Sequence, residues 1–137
     1  MSLEQLMYAS RQVGTDEAAL SAILESARRH NEKTGITGML FYRDGRFLQV
    51  LEGESDLVMA TYERIVKDAR HNELVLLLRD EIEQRDFKDW SMGLRKVLDT
   101  DLEKCPQYSS FFTVAPQGEN IVARPGIALE MFKAFSH

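Results

Sequence analysis

The chain predicts an α+β sandwich in the order βαββαββ, with two helices packed on one face of a single sheet. Three observations carry this. Two stretches have apolar residues at helical spacing, several shorter stretches alternate or run apolar like strands, and Asp44-Gly45 joins two of those strands as a tight hairpin. Consecutive elements usually lie side by side, which leaves a ferredoxin-like βαββαβ core with one additional strand as the simplest arrangement.

Residues 3–9 (LEQLMYA) read as a short mixed strand. Thr15 is suited to cap a helix, with Asp16 and Glu17 in its first turn and Arg28, Arg29 and His30 in its last, so both ends suit the helix dipole. Leu20, Ile23, Leu24 and Ala27 make one apolar face, Asn31 continues it, and Gly35 ends the element. Residues 36–43 and 46–53 are strands, and a type I′ turn at Asp44-Gly45 sets Arg43 opposite Arg46 and Leu40 opposite Gln49. One face then carries Gly38, Leu40, Tyr42, Phe47, Gln49 and Leu51, with Gln49 its only amide. Ser55 and Asp56 open a second helix reaching about Arg70, with Val58, Tyr62, Ile65 and Ala69 toward the core. The run LVLLL (74–78) suits a central strand covered on both faces, and residues 91–98 suit a last strand with Trp90, Met92 and Leu94 on one parity. Residues 101–112 and 126–135 suit two further helices, separated by a Pro116-Gln117-Gly118 turn and a short extended piece. Residues 1–98 are thus expected to form the main unit and 99–137 a C-terminal helical extension of it.

Composition narrows the function. The 137 residues, 44% of them hydrophobic, suffice for one domain with a proper core. A net charge of −5 opposes a nucleic-acid or anionic-membrane surface, which needs clustered positive charge. The single Cys105 excludes an internal disulfide, and no Cys/His spacing suggests a metal site. There is no signal-peptide pattern and no apolar stretch of membrane-spanning length, so the expected location is cytoplasmic. His30, His71 and His137 lie in unrelated contexts, and no nucleophile–base pairing stands out, which argues against a hydrolase.

Tyr8 and Gln49 are polar residues inside apolar strands, and Asn31 closes a helix leading into the same sheet. A buried amide or phenol without a partner costs about 1–3 kcal/mol, so a bound polar ring is a sensible common partner. Gln49 can present donor and acceptor and exchange them by rotation, a property suited to relaying between a phenol and a heteroaromatic ring. Each residue also has an ordinary reading: a solvated strand glutamine, a core tyrosine and a helix-end asparagine. Trp90 and Met92 are core residues by default, and Arg70-His71 is a favourable cation pair at a helix C-terminus. Arg70, Arg28 and Arg29 are candidates for a phosphate, although no dinucleotide or Walker loop is present.

Four words, LMYAS (6–10), HNEKTGITGMLFY (30–42), FLQVLEGE (47–54) and DWSMGL (89–94), occur in an order and spacing that closely resemble the BLUF family of flavin-binding blue-light sensors. The resemblance covers roughly residues 3–98. It implies a flavin, usually FAD with FMN or riboflavin as alternatives, held between the two helices against the sheet. It implies Tyr8 as electron and proton donor and Gln49 as switching amide. By position, Asn31 matches the amide at the flavin carbonyl edge, His30 borders the ring, Arg70 with His71 lies on the phosphate side, and Trp90 and Met92 form the output pair. Many relatives carry Ser where this chain has Ala27. With no effector module visible, the chain resembles the short stand-alone class, expected to signal to a separate effector protein and to form a homo-oligomer, most simply a dimer. The apolar tail residues Phe111, Phe112, Ile127, Leu129, Phe132 and Phe135 would supply that contact, because one helix pair on the free sheet face would bury only part of the set. The rival readings are a non-photoactive ferredoxin-like regulatory or interaction module, an RNA-recognition domain, opposed by the acidic charge, and an acylphosphatase-type enzyme, for which no catalytic word exists.

Overall fold

The computed structural model describes residues 2–12, 17–69, 71–112 and 123–136. Its elements are β1 (Leu3–Gln12), α1 (Glu17–Thr34), β2 (Thr37–Arg43), β3 (Arg46–Glu54), α2 (Ser55–Val66), β4 (His71–Glu81), β5 (Gly93–Lys96), α3 (Asp99–Lys104), a 3-10 turn at Pro106–Phe111, and α4 (Ile127–Phe135). The five strands form one sheet in the order β4-β1-β3-β2-β5, antiparallel except for the β2–β5 pair. The predicted α+β core is therefore present, and α1 and α2 share one face as expected.

Alternation divides the sheet into two cores. Leu6 and Tyr8 of β1, Leu40 of β2, and Phe47 and Leu51 of β3 meet Leu20, Leu24 and Val58 of the helices on the first face. Met7, Ala9, Met39, Phe41, Leu48 and Val50 occupy the other face and are covered by Tyr108, Phe111, Ala128, Met131 and Phe135. Among the described residues, the tail thus shares a core with the sheet. Phe111, Phe112, Ile127 and Phe135 are buried, and only Leu129 and Phe132 are half-exposed.

The hairpin register is as predicted: Leu40 faces Gln49 and Arg43 faces Arg46. Asp44 (φ 46°) and Gly45 (φ 79°) take the two left-handed positions that a type I′ turn requires.

Other expectations are corrected. The LVLLL strand is an edge, not the centre: among the described residues β4 pairs only with β1, and Leu76 is 44% exposed. The interior place beside it belongs to β1, which runs on to Gln12 and pairs with β3 and β4, and β3 is the middle strand. This extension also gives β4 partners back to His71, so α2 ends at Val66 rather than near Arg70 and Ala69 is exposed. The segment 101–112 is not one helix. Pro106 lacks the N–H needed to continue α3 and holds Cys105 out of helical geometry (φ −129°, ψ 66°), so a separate 3-10 turn follows. The Thr15 cap, Arg70, the 116–118 turn and His137 lie outside the described residues, as does the side chain of His71.

Candidate functional site

A cleft opens between α1 and α2 over the first face of the sheet. Its α1 wall is Ile23, Ser26, Ala27, His30 and Asn31, spaced i, i+3, i+4, i+7, i+8. Its opposite wall repeats that stripe with Thr61, Arg64, Ile65 and Asp68, and Tyr8, Gln49 and Leu51 form the floor. Measured out to its open mouth, the space is about 460 Å³. Thr61, Arg64 and Asp68 did not stand out in the sequence. Their own i, i+3, i+7 spacing, beside the apolar stripe of α2, was the available signal.

On the floor, the Tyr8 hydroxyl donates to Gln49 Oε1, and both side chains are buried. The Gln49 amide nitrogen faces Met92 Sδ at 3.4 Å. Sulfur is a weak acceptor, so this buried N–H is under-partnered and suited to a better acceptor entering the cleft. Burial, reinforced by Tyr62 and Asp68, raises the Tyr8 pKa far above the ordinary phenol value, so the hydroxyl stays protonated. The Tyr8 and Tyr62 rings lie 5.6 Å apart at 58°.

The C-terminal half of α1 grips the segment before β5. Asn31 Nδ2 donates to the Ser91 carbonyl (2.6 Å), and Arg28 Nε donates to the Met92 carbonyl (2.8 Å). Arg28 is therefore engaged with the protein backbone through Nε. His30 Nε2 lies 2.9 Å from Thr61 Oγ1. That hydroxyl already donates to the Leu57 carbonyl (2.8 Å), so His30 must be the donor, which fixes the Nε2–H tautomer when the ring is neutral. Burial first, then Arg64 and Lys33, lowers the His30 pKa. The structure thus brings Tyr8, His30, Asn31 and Gln49 together around one cleft, with Met92 beneath Gln49.

Trp90 and Met92 do not share a face. Both precede β5, where a bend replaces strand alternation. Met92 turns in to Gln49, while Trp90 is 41% exposed and its ring meets Phe132 of α4 edge-on at 5.5 Å. A Cβ on Gly93 would lie 2.0 Å from Trp90 Cε3, so glycine is what lets the ring lie flat over the start of β5.

A cleft with a paired phenol and amide on its floor and apolar patches on both walls is suited to hold a flat ligand with a polar edge. The comparisons agree. Residues 3–93 match BLUF, sensors of blue-light using FAD, and the chain belongs to that family. It is similar to the photoactivated adenylate cyclase subunit beta of Euglena longa (38% identical over 74 residues, 53% of this chain and 9% of the relative). It also resembles the blue light- and temperature-regulated antirepressor BluF of Escherichia coli strain K12 (33% over 94 residues, 67% of this chain and 23% of the relative). The chain thus spans only a small part of those relatives. The dark-state structure of BlrB, a BLUF protein, matches over 98% of this chain and 96% of that one, at 26% identity and a TM-score of 0.76. The domain is a blue-light sensor that uses a flavin. Among the described residues, no helix is long and apolar enough to cross a membrane.

The residues present fit a flavin. Ile23, Leu51 and Ile65 offer apolar surface to a flat ring, and the under-partnered Gln49 N–H offers a donor to its polar edge.

Proposed function

We propose that this chain is a blue-light receptor in which Tyr8, Gln49 and Met92 form the switch. The hydrogen-bonded sequence Tyr8 O–H to Gln49 Oε1, with Gln49 Nε2 on Met92 Sδ, carries the reading. Gln49 and Asn31 would meet the polar edge of the ring, His30 would border it, and Arg70 with His71 would serve the phosphate side. FAD is the expected form, with FMN or riboflavin accepted through the same ring contacts. The bound flavin supplies blue absorption and an electron acceptor. Tyr8 gives up an electron and its hydroxyl proton, and Gln49 lies on the proton's way. Both return to Tyr8, so there is no net product, but Gln49 is left rotated or tautomerised. Its N–H then leaves the Met92 sulfur, and the 90–92 segment, held by Arg28 and Asn31, shifts relative to α4. This is a local hydrogen-bond change biasing a two-state element. Residues 99–137 would present the change to a separate effector protein in the cytoplasm, with the receptor working as a dimer.

Absorption spectra before and after blue light test the proposal. Wild-type protein should show a flavin band that shifts reversibly to the red. Gln49→Leu keeps apolar bulk without hydrogen bonds, so it should retain flavin and lose the shift. A normal shift in that variant would refute the role given to Gln49.

A further inference from the structure

On the opposite face of the sheet, a second polar junction lies behind the switch. Glu52 follows Gln49 by three residues on β3, so its side chain points away from the cleft toward α4. It is fully buried, and its carboxylate accepts three N–H bonds: Phe87 N on Oε1 (2.8 Å), and Asp86 N (2.9 Å) and Gln5 Nε2 (2.8 Å) on Oε2. Gln5, its cross-strand partner, is equally buried. Gln5 Nε2 also reaches Asp86 Oδ2 (3.1 Å), and Gln5 Oε1 accepts the backbone N–H of Gly126, the residue that opens α4 (3.3 Å). Arg85 strengthens the same attachment by donating to the carbonyls of Gly35 (2.6 Å) and Glu52 (3.1 Å).

The segment from 85 to 92 is therefore held at two ends. Glu52 holds residues 86 and 87, and α1 holds 91 and 92 through Asn31 and Arg28. Between them, Trp90 N donates to the Phe87 carbonyl (3.2 Å), and the Phe87 and Trp90 rings both pack edge-on against Phe132 of α4. Where the anchored end sits determines where Met92 sits under Gln49. Charge-assisted bonds from backbone N–H groups are among the stronger and more directional contacts a buried carboxylate makes, so this end is stiff.

We infer that Glu52, together with Gln5, is a positioning pair for the light response: it fixes the fulcrum about which the 86–92 segment moves Met92, and it ties that segment to the first turn of α4. The inference rests on Gln49 being the switching amide.

The test uses the flavin-loaded full chain. Glu52→Gln preserves volume but puts an NH₂ group against one of the three N–H donors. Flavin should remain bound and the red shift should still form. Dark recovery should change by about tenfold, which corresponds to roughly 1.4 kcal/mol in the recovery barrier, and amides of 86–92 and 126–132 should exchange hydrogen faster while the middle of α1 does not. A folded variant with wild-type recovery and wild-type exchange in both segments overturns the inference. Should Glu52→Gln not fold, Gln5→Met decides: it leaves the two backbone bonds of Glu52 intact and cuts the link to Gly126. It should speed exchange at 126–132 and alter recovery, and wild-type values of both overturn the inference. Wild-type protein that binds flavin but shows no shift would instead refute the Tyr8–Gln49 reading on which this one stands.

Discussion

Replacing Gly93 with alanine should dislodge Trp90. The new Cβ would lie 2.0 and 2.5 Å from Trp90 Cε3 and Cζ3, and 2.6 Å from Met39 Cε. Carbon atoms pack at about 3.5–4.0 Å, so something must retreat by roughly 1.5 Å. Met39 is enclosed by the second core, whereas Trp90 is half-exposed, so the indole should yield by swinging away from Phe132. Overpacking of this kind costs about 1–3 kcal/mol, and the lost edge-on ring pair adds about 0.5–1.5 kcal/mol. A total near the middle of that range, about 3 kcal/mol, lowers the melting midpoint of a chain this size by roughly 10 °C. Trp90 is the single tryptophan, so intrinsic fluorescence reports on it alone. Emission should move to the red and iodide should quench it more readily than in the wild type. If emission, quenching and midpoint all match the wild type, the ring does not lie against Gly93 and its proposed link to α4 falls with it.

Tyr8→Phe leaves Gln49 Oε1 buried without its phenol donor, at a cost of about 1–3 kcal/mol in a denaturant titration, and should retain flavin while abolishing the reversible red shift; a normal shift would remove Tyr8 from the switch. His30 gives a pH signature. Its folded pKa is lowered by burial, then by Arg64 and Lys33, so the folded protein binds fewer protons than the unfolded chain as pH falls below about 6.5. The stability held with neutral His30 is present above that value and is lost as pH drops through the lowered one. Wild type should therefore lose more stability than His30→Gln between about pH 7 and pH 5, and parallel thermal-melt profiles would contradict this.

What the sequence disclosed depended on whether a local rule was in force. The Asp44-Gly45 turn fixed the register of β2 on β3, and register placed Gln49 on the helix-covered face with Leu40 opposite. The α1 stripe likewise placed Asn31 and His30 beside the cleft. Strand order was harder. LVLLL has the composition of a buried central strand, yet β4 is an edge, whereas β1 looked mixed because Glu4, Gln5 and Ser10 interrupt it. Gln5 can sit buried on an interior strand because Glu52, 47 residues away, bonds to it. Partners at such separations are not visible in a local window. Trp90 and Met92 differ for another reason: strand alternation does not reach back to Trp90, three residues before β5 begins, and a bend there sends the two side chains to opposite sides of the sheet.

The separation of the sheet into two faces has a consequence for how such a receptor can change over generations. Along β3, Phe47, Gln49 and Leu51 serve the cleft, while Leu48, Val50 and Glu52 serve the tail helices. Interleaved in one strand are two alphabets that answer to different selective demands. Of the even set, Leu48 and Val50 can drift with a new α4 or a new recipient of the output while Glu52 and the odd set stay unchanged, so one light-absorbing half can be inherited by many lineages of response. Insertions are the exception. One extra residue in β3 would exchange the two alphabets and ruin both at once, so diversification in this part of the chain should proceed by substitution and leave its length alone.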